Sequence, residues 1–352
     1  MTEPLVVRPY RLLCLFCSLG GELPEPLREP VAALRQAIQD CPDRPLALRC
    51  QAEDVYAYQH PGRDEDTPEG AEYNRKRDLD VLYCLDLPPG AILPARTLLY
   101  RVLAAVPTVK GICGYDAATA AWPGCERAAS GCYEKGIQRG IEGLIPPRDA
   151  AECAREKQAS VAEMEREKEL RIRPHVIMCA VCNYGAADGA PEPLAADNIV
   201  EFIRIVRRNP RVPVKLVPGA DWMICAPCPQ RVPGLNACVN VAGSGGLSNE
   251  KRDLDLLQLL DLTYGATLPG RELLLRIFDR VPSTQPICRR DSPRLSVWWD
   301  GCGESNRGQG NPGYARGRAL LLAELRPDQA AGLMRAPGNC HSSVPTDWRL
   351  QP

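Results

Sequence analysis

Apolar residues recur at helical spacing in two matching stretches of the chain. Val31, Leu34 and Ile38 share one face of the segment Pro26 to Gln39, and Ile199, Phe202, Ile203 and Val206 do the same between Pro193 and Arg208. A proline just beyond each, Pro42 and Pro210, marks where the helix must stop. Alternating apolar residues follow in Pro45-Leu-Ala-Leu-Arg and Pro213-Val-Lys-Leu-Val, which predicts a short strand in both places. Upstream of each pair runs an apolar stretch with an Arg-Pro start and a C-x-x-C. These are Arg8 to Cys17, broken by Gly20-Gly21, and Arg173-Pro-His-Val-Ile-Met-Cys-Ala-Val-Cys182.

The correspondence continues downstream. Lys76-Arg-Asp-Leu-Asp80 is repeated letter for letter as Lys251-Arg-Asp-Leu-Asp255, and each leads into an apolar helical segment. A glycine turn follows (Gly90, Gly265), then Leu-Pro-x-Arg-x-Leu-Leu-x-Arg (Leu93 to Arg101, Leu268 to Arg276) and a closing Val-Pro (Val106, Val281). The ends match as well: Cys113 with Cys288, Asp116 with Asp291, Trp122-Pro-Gly-Cys125 with Trp299-Asp-Gly-Cys302, and Tyr133-x-x-Gly136 with Tyr314-x-x-Gly317. This self-similarity predicts a helix-rich α+β protein made by tandem duplication of one cysteine-rich metal-binding domain, with a pseudo-twofold arrangement. The expected boundaries are 1–148 for the first repeat, 149–170 for a helical linker rich in Ala, Glu, Lys and Arg, 171–335 for the second repeat, and 336–352 for an irregular tail.

Composition narrows the function. A net charge of -1 gives no global attraction to nucleic acid, and no stretch reaches the roughly 18 apolar residues of a membrane span. The start of the chain lacks a basic region followed by an apolar core, which predicts a cytoplasmic protein. There are 17 cysteines against three histidines. In a reducing compartment, C-x-x-C pairs read as metal or redox sites before disulfides.

The duplication itself sorts the cysteines. Cys14, Cys17, Cys113 and Cys125 in the first copy are in register with Cys179, Cys182, Cys288 and Cys302 in the second. Four thiols retained where the surrounding sequence has drifted suit a tetrathiolate centre, either zinc or an iron-sulfur cluster. The second copy adds Cys225-Ala-Pro-Cys228 and Cys238 in a Pro/Gly-rich loop, and Ala57 and His60 stand opposite Cys225 and Cys228 in the first. Cys132 and His175 are further candidate ligands, although a single histidine in an apolar run is more often a satisfied core residue. Cys41, Cys50, Cys84, Cys153 and Cys340 read as structural thiols. In the twin Lys-Arg-Asp-Leu-Asp, charges four apart on a helix favour local ion pairs over an anion site. Trp122, Trp298 and Trp299, beside cysteines, would either shield a cluster or fill core space.

Arg173-Pro-His-x-x-x-Cys179, Pro218-Gly-Ala-Asp-Trp-Met-Ile-Cys225-Ala-Pro-Cys228-Pro, Cys238, and Lys251-Arg-Asp253 ahead of Leu268-Pro together resemble the domain-of-unknown-function family 1284, small bacterial and archaeal proteins. The resemblance covers about residues 171–282, with a degenerate copy in 1–148. It implies an iron-sulfur cluster held by Cys179, Cys225, Cys228 and Cys238. The family carries two adjacent histidines where this chain has Pro174-His175, and Cys288 and Cys302 lie outside the matched region. Cys179 is thus claimed by two ligand sets.

The expectation is an iron-sulfur protein with two or more [4Fe-4S] clusters, engaged in electron transfer with a redox protein partner. The alternatives are a structural zinc protein and an enzyme built on an open-coordinated cluster. No phosphate-binding loop, nucleophile elbow or metalloprotease motif points to a catalytic class.

Overall fold

In the computed structural model, residues 3–51, 67–116, 118–119, 122–234, 236–239, 245–288 and 310–326 are described. The chain forms two compact units, Met1–Arg148 and Asp149–Pro352. Both are helix-rich α+β structures in which a small three-stranded sheet is packed among helices.

In the first unit the order is β1 (Leu5–Val7), α1 (Pro9–Gly20), α2 (Glu25–Asp40), β2 (Pro45–Leu48), α3 (Ala71–Leu85), β3 (Ile92–Pro94), α4 (Ala95–Ala105) and α5 (Cys132–Gln138). The sheet order is β1-β2-β3, parallel then antiparallel, with Leu5 opposite Leu46 and Pro45 opposite Pro94. The second unit runs α6 (Ala150–Arg166), β4 (Leu170–Ile172), α7 (Pro174–Ala186), α8 (Ile199–Arg208), β5 (Pro213–Leu216), α9 (Trp222–Cys225), β6 (Arg231–Val232), β7 (Ala237–Cys238), α10 (Gly245–Leu260), β8 (Thr267–Pro269), α11 (Gly270–Arg280), α12 (Gln285–Cys288) and α13 (Pro312–Leu325). Its sheet, β4-β5-β8, has the same sense of pairing, with Leu170 opposite Val214 and Pro213 opposite Pro269.

The apolar stripes do what their spacing predicts. Val31, Leu34 and Ile38 of α2 are buried, as are Ile199, Phe202, Ile203 and Val206 of α8. The glycine turns carry positive φ, 81° at Gly90 and 90° at Gly265, and each donates its N–H back to the central strand, to Leu48 O at 2.6 Å and Leu216 O at 2.7 Å. The last arginine of the Leu-Pro-x-Arg-x-Leu-Leu-x-Arg run donates to a helix-end carbonyl in both units, Arg101 to Leu85 O (3.1 Å) and Arg276 to Leu260 O (2.8 Å). Short edge strands β1, β3, β4 and β8, each three residues long, were not signalled by alternation.

Two closing motifs acquire a reason. Tyr133 and Tyr314 are buried, and their hydroxyls donate to Val106 O and Val281 O, both at 2.7 Å. One turn later, Gly136 of α5 and Gly317 of α13 lie against the backbone of α1 and α7: a Cβ on Gly136 would overlap the Phe16 carbonyl, and one on Gly317 the Val181 carbonyl. Gly20 and Gly185 sit at the other side of the same crossings, close to Cys132 and Gly317. Small residues therefore let each C-x-x-C helix lie directly against a late helix of its unit.

Helix α6 forms where composition predicts a linker helix, and its Asp149 side chain caps it by accepting from Glu152 N at 2.7 Å. One of its faces is packed rather than solvated. Met164 and Ser160 are buried, Asn198 donates to Ser160 Oγ (2.8 Å), Lys157 pairs with Glu201 (2.7 Å), and Trp222 donates to Glu163 (2.9 Å). The expected tail, 336–352, lies outside the described residues, as do Ala57, His60, Asp291, Trp298, Trp299, Cys302 and Cys340.

Candidate thiol sites

Each C-x-x-C helix is anchored at its N-terminus by the aspartate of the repeated pentapeptide. In the first unit Arg8 Nε meets Asp78 Oδ2 at 2.6 Å with both side chains fully buried, and Asp78 Oδ1 accepts from Tyr10 N at 2.9 Å. In the second, Arg173 reaches Asp253 Oδ2 through Nη2 (2.7 Å) and Nε (3.1 Å), and His175 N donates to Oδ1 at 2.8 Å. The carboxylate thus satisfies an orphan amide of the helix's first turn and a guanidinium at once. The flanking lysine and second aspartate form the local pairs expected, Lys76–Asp80 at 2.6 Å and Lys251–Asp255 at 2.7 Å. The Arg-Pro start and the Lys-Arg-Asp-Leu-Asp run are two halves of one clasp, a relation that spacing within either motif cannot reveal.

His175 belongs to this clasp. Its Nδ1 lies 2.7 Å from Asp253 Oδ1, and an ionised carboxylate accepts only, so Nδ1 carries the proton. Burial holds the imidazole below its usual pKa, against the pull of Asp253. Asp253 is itself held low, because His175 and Arg173 together outweigh the penalty of burial. Nδ1 of His175 thus has the hydrogen-bond partner that a buried core histidine needs.

In the first unit, Cys14 and Cys17 stand on consecutive turns of α1, and Cys113 and Cys125 come from the loop between α4 and α5. The loop pair is tied together by Cys125 N donating to Cys113 O at 2.7 Å, and Tyr73 clamps the same carbonyl at 2.7 Å. Each of these four thiols is shifted upward, chiefly by burial: Cys14 to about 11, Cys113 to about 12, Cys17 and Cys125 in the same direction. Cys14, Cys113, Cys125 and Cys132 add to the upward shift of Cys17. Cys132 is buried beside Gly21 and accepts from the Ser130 hydroxyl at 3.0 Å.

An unannounced residue faces this group. Arg77 is 1% exposed, and its guanidinium stacks 3.4 Å above the Tyr10 ring centroid and 5.0 Å from that of Tyr73. Its Nη2 makes a long contact to Thr67 Oγ1, 3.4 Å, its side chain also acts on the Cys113 thiol as a hydrogen-bond donor, and its Nε has no hydrogen-bond partner. Burial opposes its charge, and Cys14 and Cys113 favour it. A cleft of about 440 Å³, lined by Pro24, Leu27, Thr67, Glu69, Gly124 and Glu126, opens beside Thr67 and the neighbours of Cys125.

The second unit brings thiols together in two groups. Cys225 ends α9, Cys228 follows one turn on with its N–H on Cys225 O (3.0 Å), and Cys238 lies in β7. Cys225 feels both Cys228 and Cys238 as well as Asp221 and Arg173, and its thiol is pushed well up, first by burial. Two N–H groups already point at sulfur, Gln230 N to Cys228 Sγ at 3.4 Å and Asn249 Nδ2 to Cys238 Sγ at 3.6 Å. Elsewhere Cys182 of α7 and Cys288 at the end of α12 both act on the Tyr314 phenol, while Cys179, also on α7, is exposed. A cleft of about 620 Å³ in this unit, between Pro210, Arg211, Leu275, Arg276 and Arg280, has no thiol among its lining residues.

Among the described residues, no three His, Cys, Asp or Glu side chains form a set that could hold a metal ion. Trp122 is 37% exposed and does not fill core space. Sequence reasoning missed Arg77, Tyr10, Tyr73 and Asn249. The signal for the arginine was present in the identical pentapeptides, where a buried partner on another element was the reading to test.

The fold defines a class: a helix-rich α+β chain in two units, each with thiols on a C-x-x-C helix and in later segments of the unit. No family model, curated protein or solved structure matches it.

Proposed function

We propose that this is an iron-sulfur protein, a tandem duplication of one cysteine-rich α+β domain, that exchanges electrons with a redox protein partner. What supports the reading is the recurrence of Cys14, Cys17, Cys113 and Cys125 in register with the second copy, with Cys14 and Cys17 on consecutive turns of α1 and Cys113 and Cys125 tied by a backbone hydrogen bond in one loop. Shared strand order and pairing register support the duplication. Among the described residues no carboxylate forms an ion pair with the buried guanidinium of Arg77, which fits a neighbouring group of net negative charge.

On this reading Cys14, Cys17, Cys113 and Cys125 ligate a [4Fe-4S] cluster in the first unit. In the second, Cys225, Cys228 and Cys238 form one set, and Cys182 and Cys288, with Cys179 on the same helix and Cys302, form another. The resemblance of residues 171–282 to family 1284 would then reflect a shared thiolate site. When bound, such a cluster accepts and releases a single electron. The chain supplies the thiolates, the N–H groups of Gln230 and Asn249 that stabilise sulfur charge, and the burial that excludes water.

Anaerobically purified protein should be brown and contain iron and acid-labile sulfide, and Cys17→Ser should lower the iron content while leaving the second unit's share. Colourless protein loaded with zinc would overturn the proposal.

A further inference from the structure

The two units carry the same loop–helix junction with different charge. In the first, Arg96 N at the start of α4 donates to Pro42 O at 2.9 Å, and in the second, Arg271 N of α11 donates to Pro210 O at 2.9 Å. The residue after each proline has opposite sign. Asp43 pairs with Arg96 at 3.1 and 3.4 Å, whereas Arg211 stands in its place in the second unit, and Ala105 corresponds there to Arg280. Arg271 forms no ion pair among the described residues: its Nε donates to Leu325 O at 2.9 Å, and Arg276 likewise donates to the carbonyls of Leu260 (2.8 Å) and Asp261 (3.2 Å). Carbonyls hold these two cations in place without neutralising them. The exposed side chains of Arg211 and Arg280 have no hydrogen-bond or ion-pair partner among the described residues. All four arginines line the cleft of about 620 Å³. Of the two acids that line it with them, Asp279 is already paired with Arg326 at 2.8 Å, which leaves Glu272 against four cations.

We propose that this cleft binds a small phosphorylated molecule, with Arg211 and Arg280 gripping the phosphate. Like charges brought into one concavity repel, and an anion shared among them removes that cost. The planar guanidinium presents two parallel N–H groups that match a pair of phosphate oxygens, which makes arginine the residue suited to this task. One free acid against four cations leaves a surplus that a phosphate dianion meets better than a single carboxylate does. The volume lies within the roughly 300–1,000 Å³ of small-ligand pockets, and Leu275 with Pro269 offers an apolar wall to the uncharged part of the ligand. A net charge of -1 gives the whole chain no general pull on polyanions, so the attraction is local to this cleft. The first unit cannot share the activity, because Asp43 already supplies its Arg96 with an anion. No thiol lines the cleft, so the proposal stands apart from the iron-sulfur reading.

The test is calorimetric titration of the full chain with inorganic phosphate and with adenosine monophosphate, in a phosphate-free buffer of low ionic strength. The nucleotide should bind one per chain and more tightly than phosphate alone. Arg211→Asp and Arg280→Ala each install the residue that the first unit carries at that place, both at exposed positions, so the fold should persist with an unchanged urea midpoint. Each should weaken nucleotide binding by about tenfold or more, the loss of one charge-assisted contact. Arg75→Asp makes the same change of net charge as Arg211→Asp at an exposed position of α3, and it should leave the affinity within about twofold because exposed charges are screened. Equal weakening by Arg75→Asp would show attraction to diffuse charge and overturn the site. Absence of nucleotide binding, or affinity unmoved by Arg211→Asp, overturns it as well. Phosphate binding as tightly as the nucleotide, or a phosphoserine peptide binding more tightly, would overturn the assignment to a small phosphorylated molecule.

Discussion

The two units share a clasp and differ in what surrounds their thiols. Arg8, Asp78 and the first turn of α1 correspond, contact for contact, to Arg173, Asp253 and the first turn of α7. Beside that common anchor the first unit stacks a buried arginine on Tyr10, and burial raises the thiols of Cys14, Cys17, Cys113 and Cys125. The second adds a histidine to the clasp, a hairpin of β6 and β7, and a separate three-cysteine loop. The difference teaches that holding a C-x-x-C helix in place and choosing the electrostatics beside it are separable tasks, met by neighbouring residues of one pentapeptide. In each copy the aspartate anchors the helix, and the arginine before it is left to vary in role.

The largest effect should come from breaking the anchor. Asp78→Ala and Asp253→Ala each strand a buried guanidinium and an uncapped helix amide, and each should cost about 3–5 kcal/mol. Urea denaturation of the full chain, with hydrogen exchange resolving α1 from α7, should show the loss confined to the unit mutated. Equal losses in both units from a single substitution would contradict the separation. Next come the helix crossings. Gly136→Ala and Gly317→Ala place a methyl group against a backbone carbonyl that cannot yield as a side chain would, and each should cost about 1–3 kcal/mol, seen as faster exchange in α1 or α7 respectively.

The smallest effect distinguishes the units by pH. Burial raises Asp78 to about 6, so its contribution to stability is fullest below pH 4 and is lost as pH rises through about 6. Asp221 is raised to about 6 as well and acts in the same sense on the second unit. There His175 opposes it: a histidine kept neutral by burial contributes stability above its unfolded value of 6.5, and this is lost as pH falls. Exchange in α7 should therefore change less between pH 4 and 6.5 than exchange in α1, and His175→Gln should give α7 the slope of α1. An unchanged slope in that variant would show that the histidine does not offset Asp221.

Much of the scaffold was legible because it is local. The stripe Val31, Leu34, Ile38 and the alternation in Pro213–Leu216 mark α2 and β5 through periodicity alone. Lys76 and Asp80 meet because they lie one helical turn apart. The clasp was not legible, since Asp78 finds Arg8 across 70 residues and no property of either motif records the distance. Three-residue strands such as β1 and β4 are too short for an alternating pattern to form, and they exist because β2 and β5 offer an edge to pair with. For α6 the composition specified a helix but not its buried face, which rests on just Ser160 and Met164. The first set of four cysteines, Cys14, Cys17, Cys113 and Cys125, was picked out by internal repetition alone. Its arginine was overlooked because the charge seemed accounted for by neighbours on the same helix.

The glycine crossings carry a consequence for biosynthesis. Helix α1 is among the first parts of its unit to leave the ribosome, and α5, against which it lies, is the last helix of that unit to follow. The same holds for α7 and α13. Until the late helix emerges, the backbone of α1 around Phe16 and Gly20 lacks the surface it packs against. The interval between translating Gly20 and translating Gly136 is therefore the time for which α1 waits for its packing partner, and its length is set by codon usage across one unit rather than by the finished fold.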